Sequence, residues 1–467
     1  MSEATGPLKS VTYGALVWSQ FRRNRFAVVS LVLIVLLFLV GTFAPFLAND
    51  RPILVKVDPA RAEPLHTFEG QTKVVRTGGF SPVVENLTTG DVIVLIIFGW
   101  VFLQVGLRLV TVPADNPTRR VVRLPRALRR GMLWTVTALA VAAAGWTLMQ
   151  PDRLHDEQTD WKTCVQKRSP GDVFLMPPIP YRPYQKNLDH LLQRPTWRIG
   201  SQEEEMKALS DRLARADLEP DDREAILKSK EDEGLHRPTQ RAWYHWLGTD
   251  QVGRDVASQL VYGARISLVV GFVSVGIAVT IGTFVGALGG YFGRKVDFWV
   301  MRLIEVMMCF PTIFLILTIS VIVKEKSIFN VMVIIGITGW TGAARLVRGE
   351  FFKQRAMEYV TAAEASGGTP LRVMFRHILP NAMAPVLVAA TFGIAGAIIT
   401  ESTLSFLNLG VPEDVASWGR TLSYGIQYAQ YAPWLILFPG FAIFLTVTSY
   451  NLAGEGLRDA IDPRMRI

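Results

Sequence analysis

Long apolar runs constrain this chain more than any other feature: 26–47, 91–110, 131–149, 264–290, 298–323, 328–345, 383–406 and 433–454. Each is near or above the ~17–25 residues that a helix needs to cross the hydrocarbon core of a bilayer. Backbone groups in lipid must be satisfied within their own segment, so the runs predict helices. The expectation is an all-α polytopic membrane protein with eight spans. The run at 328–345 is the shortest, and Gln104 and Arg108 interrupt 91–110 near its end.

Charge gives the topology. With the N-terminus inside, the inside segments are the N-terminus, 111–130, 291–297, 346–382 and the C-terminus. They carry Arg22, Arg23 and Arg25, the cluster from Arg119 to Arg130, Arg294 and Lys295, Arg348 to Arg376, and Arg458 to Arg466. Cytoplasmic loops are selected for such residues. Runs 91–110 and 131–149 stand or fall together, since losing one inverts everything after it. Run 26–47 is longer than a signal-peptide core and follows a polar segment, so it reads as an uncleaved first span. The net charge of +9 follows from this topology, and nucleic acid is not expected as a partner. Membrane lipid is the expected surrounding.

The two cysteines, Cys164 and Cys309, lie in different environments and form no metal spacing. His236, His245 and His377 are not grouped at ligand spacing. No catalytic residue, metal site or cofactor is expected. Segments 50–90 and 150–243 are polar and fall outside. The charged stretch 202–233 reads as a solvated face. Gly282, Gly286 and Gly290 recur on one helical face and predict close helix packing. Pro311 is expected to kink run 298–323. Arg302 and Glu305 near the same end form an i, i+3 pair, and intramembrane charge makes Glu305 and Pro311 candidate pathway residues.

Segment 358–381 is polar and basic between apolar runs. Leu371, Met374, Phe375, Ile378 and Leu379 form one apolar stripe at helical spacing, with Arg372 and Arg376 on another face. Gly367 and Gly368 are expected to break the helix before the stripe and Pro380 to end it. A structured helix pair in a cytoplasmic loop is built to meet a partner.

This segment resembles the cytoplasmic EAA loop of permease subunits in binding-protein-dependent ABC importers. The matching residues are Thr361-Ala362-Ala363, Gly367 and Ile378-Leu379-Pro380, with Thr361 standing where the family has Glu. Glu364 follows three residues later on a different face. His245-Trp-Leu-Gly-Thr-Asp-Gln-Val-Gly-Arg-Asp-Val256 and Gly263-Ala-Arg-Ile-Ser-Leu268 are similar to the second permease subunit of dipeptide and oligopeptide importers. So are Tyr291-Phe-Gly293, Leu404-Ser-Phe-Leu-Asn-Leu-Gly410, Ala432-Pro-Trp434 and Gly456-Leu-Arg-Asp-Ala-Ile-Asp-Pro463.

The resemblance implies an ABC importer type I transmembrane domain: a six-span core with an inserted pair of spans. The expected organisation is a first span in 1–49, an insertion over 50–242 and a permease core over 243–467. The chain carries no Gly-x-x-x-x-Gly-Lys-Ser/Thr loop, so a separate ATPase subunit must hydrolyse ATP. Thr361, Ala362, Ala363, Gly367, Arg372, Arg376, Leu379 and Pro380 are then the residues expected to couple to it. The implied partners are one or two ABC ATPase subunits, a second homologous permease subunit in a heterodimer, and an extracytoplasmic substrate-binding protein. The implied substrate is a di- or oligopeptide, with nickel or another small solute as the alternative. The implied place is a bacterial inner membrane with both termini cytoplasmic. A secondary transporter would need ionisable residues near the midplane and would leave 358–381 unexplained.

Overall fold

The computed structural model describes residues 13–57, 78–81, 83, 173–186, 191–195, 245–323, 326–413 and 415–462. The expected spans at 91–110 and 131–149, the charged stretch 202–233, Cys164 and His236 lie outside the described residues. The chain divides into two units, Phe38–Val261, and Met1–Leu37 with Tyr262–Ile467.

In the first of these units, α3 (Ala44–Leu47) leads to a small antiparallel sheet. Strand β1 (Leu54–Val57) lies between β2 (Gly78–Phe80) and β3 (Val173–Leu175), with Val55 opposite both Phe80 and Phe174. Arg182 ties the segment after β3 to Asp50 at 2.5 Å. Residues 245–259 then form a buried polar knot. Asp255 is the residue before α4 (Val256–Phe292), and its Oδ2 accepts from Ser258 N at 2.7 Å. That is a helix N-cap satisfying one of the orphan amides of the first turn. Its other oxygen pairs with His245 Nδ1 at 2.9 Å, and the imidazole stacks on Tyr181 with ring centroids 4.1 Å apart. Burial first, and the Asp255 carboxylate second, push the Tyr181 phenol well above its usual range. Asp250 accepts from Arg254 Nε at 2.7 Å and Gln259 Nε2 at 2.9 Å. The motif 245–256 is thus a capped entry to the 37-residue helix α4.

The second unit is helical. It holds α1 (Tyr13–Phe21), much of α2 (Arg25–Thr42) and most of α4, followed by α5 (Arg294–Cys309), α6 (Thr312–Ile322) and α7 (Ile328–Arg355). Then come α8 (Glu358–Ala365), the continuous run α9 (Pro370–Phe406), α10 (Trp418–Gln427) and α11 (Trp434–Ile461). Among the described residues, five helices are long and apolar enough to cross a membrane, or six if the bent pair α5–α6 is one span. That pair bends by 81° at a break that contains Pro311, as its sequence predicts. The chain is therefore a helical membrane protein.

Packing follows the small residues. A Cβ on Gly282 would stand 2.8 Å from Trp340 O, one on Gly286 2.4 Å from Ala344 O, and one on Gly290 2.8 Å from Arg348 O. The glycine face of α4 thus lies directly on the backbone of α7. Small residues allow this approach, and dispersion between close backbones replaces the hydrophobic drive that lipid cannot supply. Helices α1 and α2 meet α11 the same way, through Phe21, Ala27 and Ala460, with Gly456 leaving no room beside Ala27 of α2.

Replacing Gly286 with Ala is expected to lower the thermal midpoint in detergent, costing about 1–3 kcal/mol through overpacking. Gly276→Ala on the same helix, where an added Cβ meets nothing within 4 Å, is the control. Gly276→Ala should raise stability by roughly 0.5–1 kcal/mol, since alanine loses less backbone freedom.

Candidate functional site

Segment 358–381 folds as two helical pieces around a glycine turn. Helix α8 ends in a Schellman motif: Gly368 N donates to Ala363 O at 3.1 Å and Gly367 N donates to Glu364 O at 3.0 Å. Gly367 has φ +84°, where a side chain is strained, although a Cβ there would meet open space. On Gly368 a Cβ would stand 2.7 Å from Ala363 O. The expected break is found, and each glycine has its own physical reason. Pro370 opens the next helix at its first turn, where a missing N–H costs little.

Two expectations need correction here. Pro380 does not end the helix: α9 runs from Pro370 through to Phe406. Residues Val373–Ile378 form a π-turn, and Leu379 N donates to Met374 O, five residues back. The turn admits proline because the bond pattern around it is already broken from i→i−4. Asn381 Nδ2 covers the His377 carbonyl at 3.0 Å. The π-turn also rephases the apolar stripe. Val373, Met374 and Ile378 are buried, whereas Leu371 is 61% exposed and Phe375 42% exposed. The expected single stripe is therefore split into an inward set and an outward set.

The inward set packs with Val360 of α8, Phe351 and Val347 of α7, and Ala287 and Tyr291 of α4 in one core cluster. Polar contacts reinforce it. Tyr291 Oη donates to Glu364 Oε1 at 2.9 Å, and Arg355 Nη1 donates to Tyr291 O at 2.5 Å. Arg348 of α7 holds Asp297 in the first turn of α5, one of its two bonds measuring 2.7 Å. Outward stand Thr361, Ala362, Gly367, Leu371, Arg372, Phe375, Arg376 and Pro380, while Ala363 and Leu379 are half-buried. The result is a surface of small side chains beside two apolar and two basic ones. Such a surface suits a groove lined by apolar and acidic groups.

Glu305 and Pro311 lie on a separate element, α5–α6. Glu305 Oε2 accepts from Arg302 Nη1 at 2.7 Å, with the two side chains 49% and 57% exposed. Cys309 is a free, exposed thiol.

Sequence reasoning missed Glu401. This carboxyl is fully buried in α9, accepting from Ser405 Oγ at 2.8 Å and Ser267 Oγ at 3.3 Å. Ser405 Oγ in turn accepts Val411 N at 3.3 Å, and a Cβ on Gly410 would collide with it. Beyond, Arg420 is buried and reaches Asn408, Tyr424 Oη at 3.2 Å and Glu413 at 3.1 Å. An acid inside the run 383–406 was the available signal. Glu401→Leu is expected to lower the thermal midpoint by leaving Ser405 and Ser267 without their acceptor, about 1–3 kcal/mol. Glu401→Gln, which keeps an acceptor oxygen, should lose clearly less.

Residues 278–467 match the family model described as binding-protein-dependent transport system inner membrane component. Residues 12–64 match that of the N-terminal TM domain of oligopeptide transport permease C. The chain is 44% identical over 222 residues to the dipeptide transport system permease protein DppC of Alkalihalophilus pseudofirmus, covering 48% of this chain and 73% of that one. It is 42% identical over 223 residues to the oligopeptide transport system permease protein OppC of Haemophilus influenzae, covering 48% and 71%. For OppC of Bacillus subtilis the identity is 38% over 222 residues, covering 48% and 72%. Among solved structures, an inward-facing MetNI methionine ABC transporter matches at 19% identity and TM-score 0.35, covering 44% of this chain and 97% of that one.

Proposed function

Because the chain belongs to the dipeptide and oligopeptide permease branch of the binding-protein-dependent transport inner-membrane components, we propose that it forms half of the transmembrane pathway of an ATP-driven peptide importer. Its partners in this reading are a second homologous permease subunit, one or two ABC ATPase subunits and an extracytoplasmic binding protein that delivers the peptide. The inserted pair 91–110 and 131–149 leaves the side of the membrane unchanged, so both termini stay cytoplasmic. The six remaining spans form the importer core of the type I architecture.

One observation carries the docking part of this reading: the outward face of 358–381. Leu371 and Phe375 are large apolar groups exposed beside Arg372 and Arg376 on a loop that the positive-inside pattern puts in the cytoplasm. Inside a soluble compartment an exposed apolar pair of this kind favours a protein partner. The small residues Thr361, Ala362, Ala363 and Gly367 let that partner approach closely, and Leu379 and Pro380 continue the contact toward the membrane. The sequence has no phosphate loop, so energy arrives through this contact. Closing of two ATPases pushes the loops of the two permease subunits, the helices rock, and the central cavity changes the side to which it opens. Pro311 and Glu305 belong to the pathway in this reading, at the bend of α5–α6.

Two experiments test it. Leu371→Asp and Phe375→Asp are expected to abolish co-purification with the ATPase subunits while membrane insertion stays intact; undiminished co-purification would sink the docking reading. Uptake of labelled di- and tri-alanine by the reconstituted importer with its binding protein, against labelled nickel, tests the substrate. Peptide uptake is expected, and nickel uptake alone would replace the peptide assignment with a metal one.

A further inference from the structure

The outward face of 358–381 explains how the loop is gripped, but not how its motion reaches the spans. Thr361 occupies the position where the resemblance leads one to expect an acid, and Thr361 is exposed. The acid of α8 that makes a contact with a membrane helix is Glu364, one turn on. Its Oε1 accepts from Tyr291 Oη at 2.9 Å. Tyr291 is the penultimate residue of α4, and its side chain is 7% exposed, within the cluster formed by Phe351, Val360, Val373 and Met374. The same residue engages α7 through its backbone: its carbonyl accepts from Arg355 Nη1 at 2.5 Å, and the guanidinium lies 5.5 Å from the ring centroid.

We propose that Tyr291 is a positioning residue that ties α8 to the cytoplasmic end of α4, with Glu364 as its acceptor, so that displacement of the loop is delivered to α4. This rests on the reading of 358–381 as the ATPase contact. The argument is mechanical. A push on α8 can be spent in two ways: tilting α8 on its glycine turn, or moving the helices beneath it. The first route would rotate α8 about the Gly367-Gly368 turn at its C-terminal end. The apolar contact of Val360 resists separation but has no direction. A hydrogen bond between a phenol and a carboxylate is short and directional, and bonds to charged groups are among the stronger ones. It fixes α8 against sliding along the core cluster. The receiving end is stiff, because Gly290 seats α4 against the Arg348 carbonyl and Arg348 also holds Asp297 of α5. Motion delivered to Tyr291 therefore reaches α4 and α5 together.

The test uses the assembled importer in proteoliposomes, with its ATPases and binding protein and labelled tri-alanine. It reads tri-alanine moved per ATP hydrolysed, alongside ATPase co-purification. Tyr291→Phe removes one hydroxyl, and the exposed Glu364 then hydrates, so assembly should be unaffected. We expect Tyr291→Phe and Glu364→Ala each to lower peptide moved per ATP by at least about threefold while ATPase co-purification stays at the wild-type level. Glu364→Gln keeps an acceptor oxygen and should stay near wild type. The double variant Tyr291→Phe/Glu364→Ala should be no worse than either single one, because one bond cannot be lost twice. The idea is overturned if Tyr291→Phe transports with wild-type yield, if the two losses add, or if Glu364→Gln fails as badly as Glu364→Ala. It is also overturned if Tyr291→Phe loses the ATPases. A wild-type chain that never binds an ATPase would instead refute the docking reading on which the proposal stands.

Discussion

Segment 358–381 and the core cluster beneath it rest on the contact of α4 with the backbone of α7. Three glycines, four residues apart, remove the side chains that would hold the helices at ordinary distance. Packed helix axes normally lie about 8–10 Å apart, and small residues bring them to the near end or below. Because the contact is backbone against backbone, it has little freedom to slide. The loop that follows α7 and the turn that follows α4 therefore start from a shared, fixed base. The core cluster under α8 and the ion pair from Arg348 to Asp297 build on that base.

The two ends of α4 are secured by different chemistry. At its start, a buried carboxylate, Asp255, caps the first turn and is itself held by His245. Around it the buried Asp250, Ser258 and Gln259 are hydrogen-bonded as well, which matters because an unpaired buried group would cost more than a paired one gains. At its end, close packing at Gly290 combines with the hydrogen bonds of Tyr291 to Glu364 and Arg355. At ~1.5 Å per residue a helix of 37 residues is about 55 Å long. That exceeds the ~30 Å hydrocarbon thickness of a bilayer.

Much of this was legible in the residues. Six of the eight apolar runs fall on described helices, the i, i+4 glycines marked the tight seam, Gly367-Gly368 marked the break and Pro311 marked the bend. These features act locally or through a fixed period, and sequence reports both. Pro380 was misread because a proline after a helical stripe ordinarily ends it, and nothing in the local pattern distinguishes a stop from a π-turn. The stripe of Leu371 to Leu379 was misread for the same reason: its phase assumed 3.6 residues per turn, and the π-turn departs from that. Glu401 went unremarked although an acid in an apolar run was in plain view. Its serine partner on another helix, Ser267, is 134 positions away, and only the folded chain brings it to the carboxyl.

The π-turn also fixes an azimuth. Each residue added to an α-helix rotates everything beyond it by ~100° about the helix axis. Residues Val373–Ile378 therefore set the direction in which the whole of α9 faces, measured from the loop below. Removing one residue from this turn would swing Glu401 away from Ser267 and toward another side of the helix. Its buried carboxyl and the exposed Leu371 and Phe375 sit at opposite ends of one shaft, and a single surplus residue sets the angle between them.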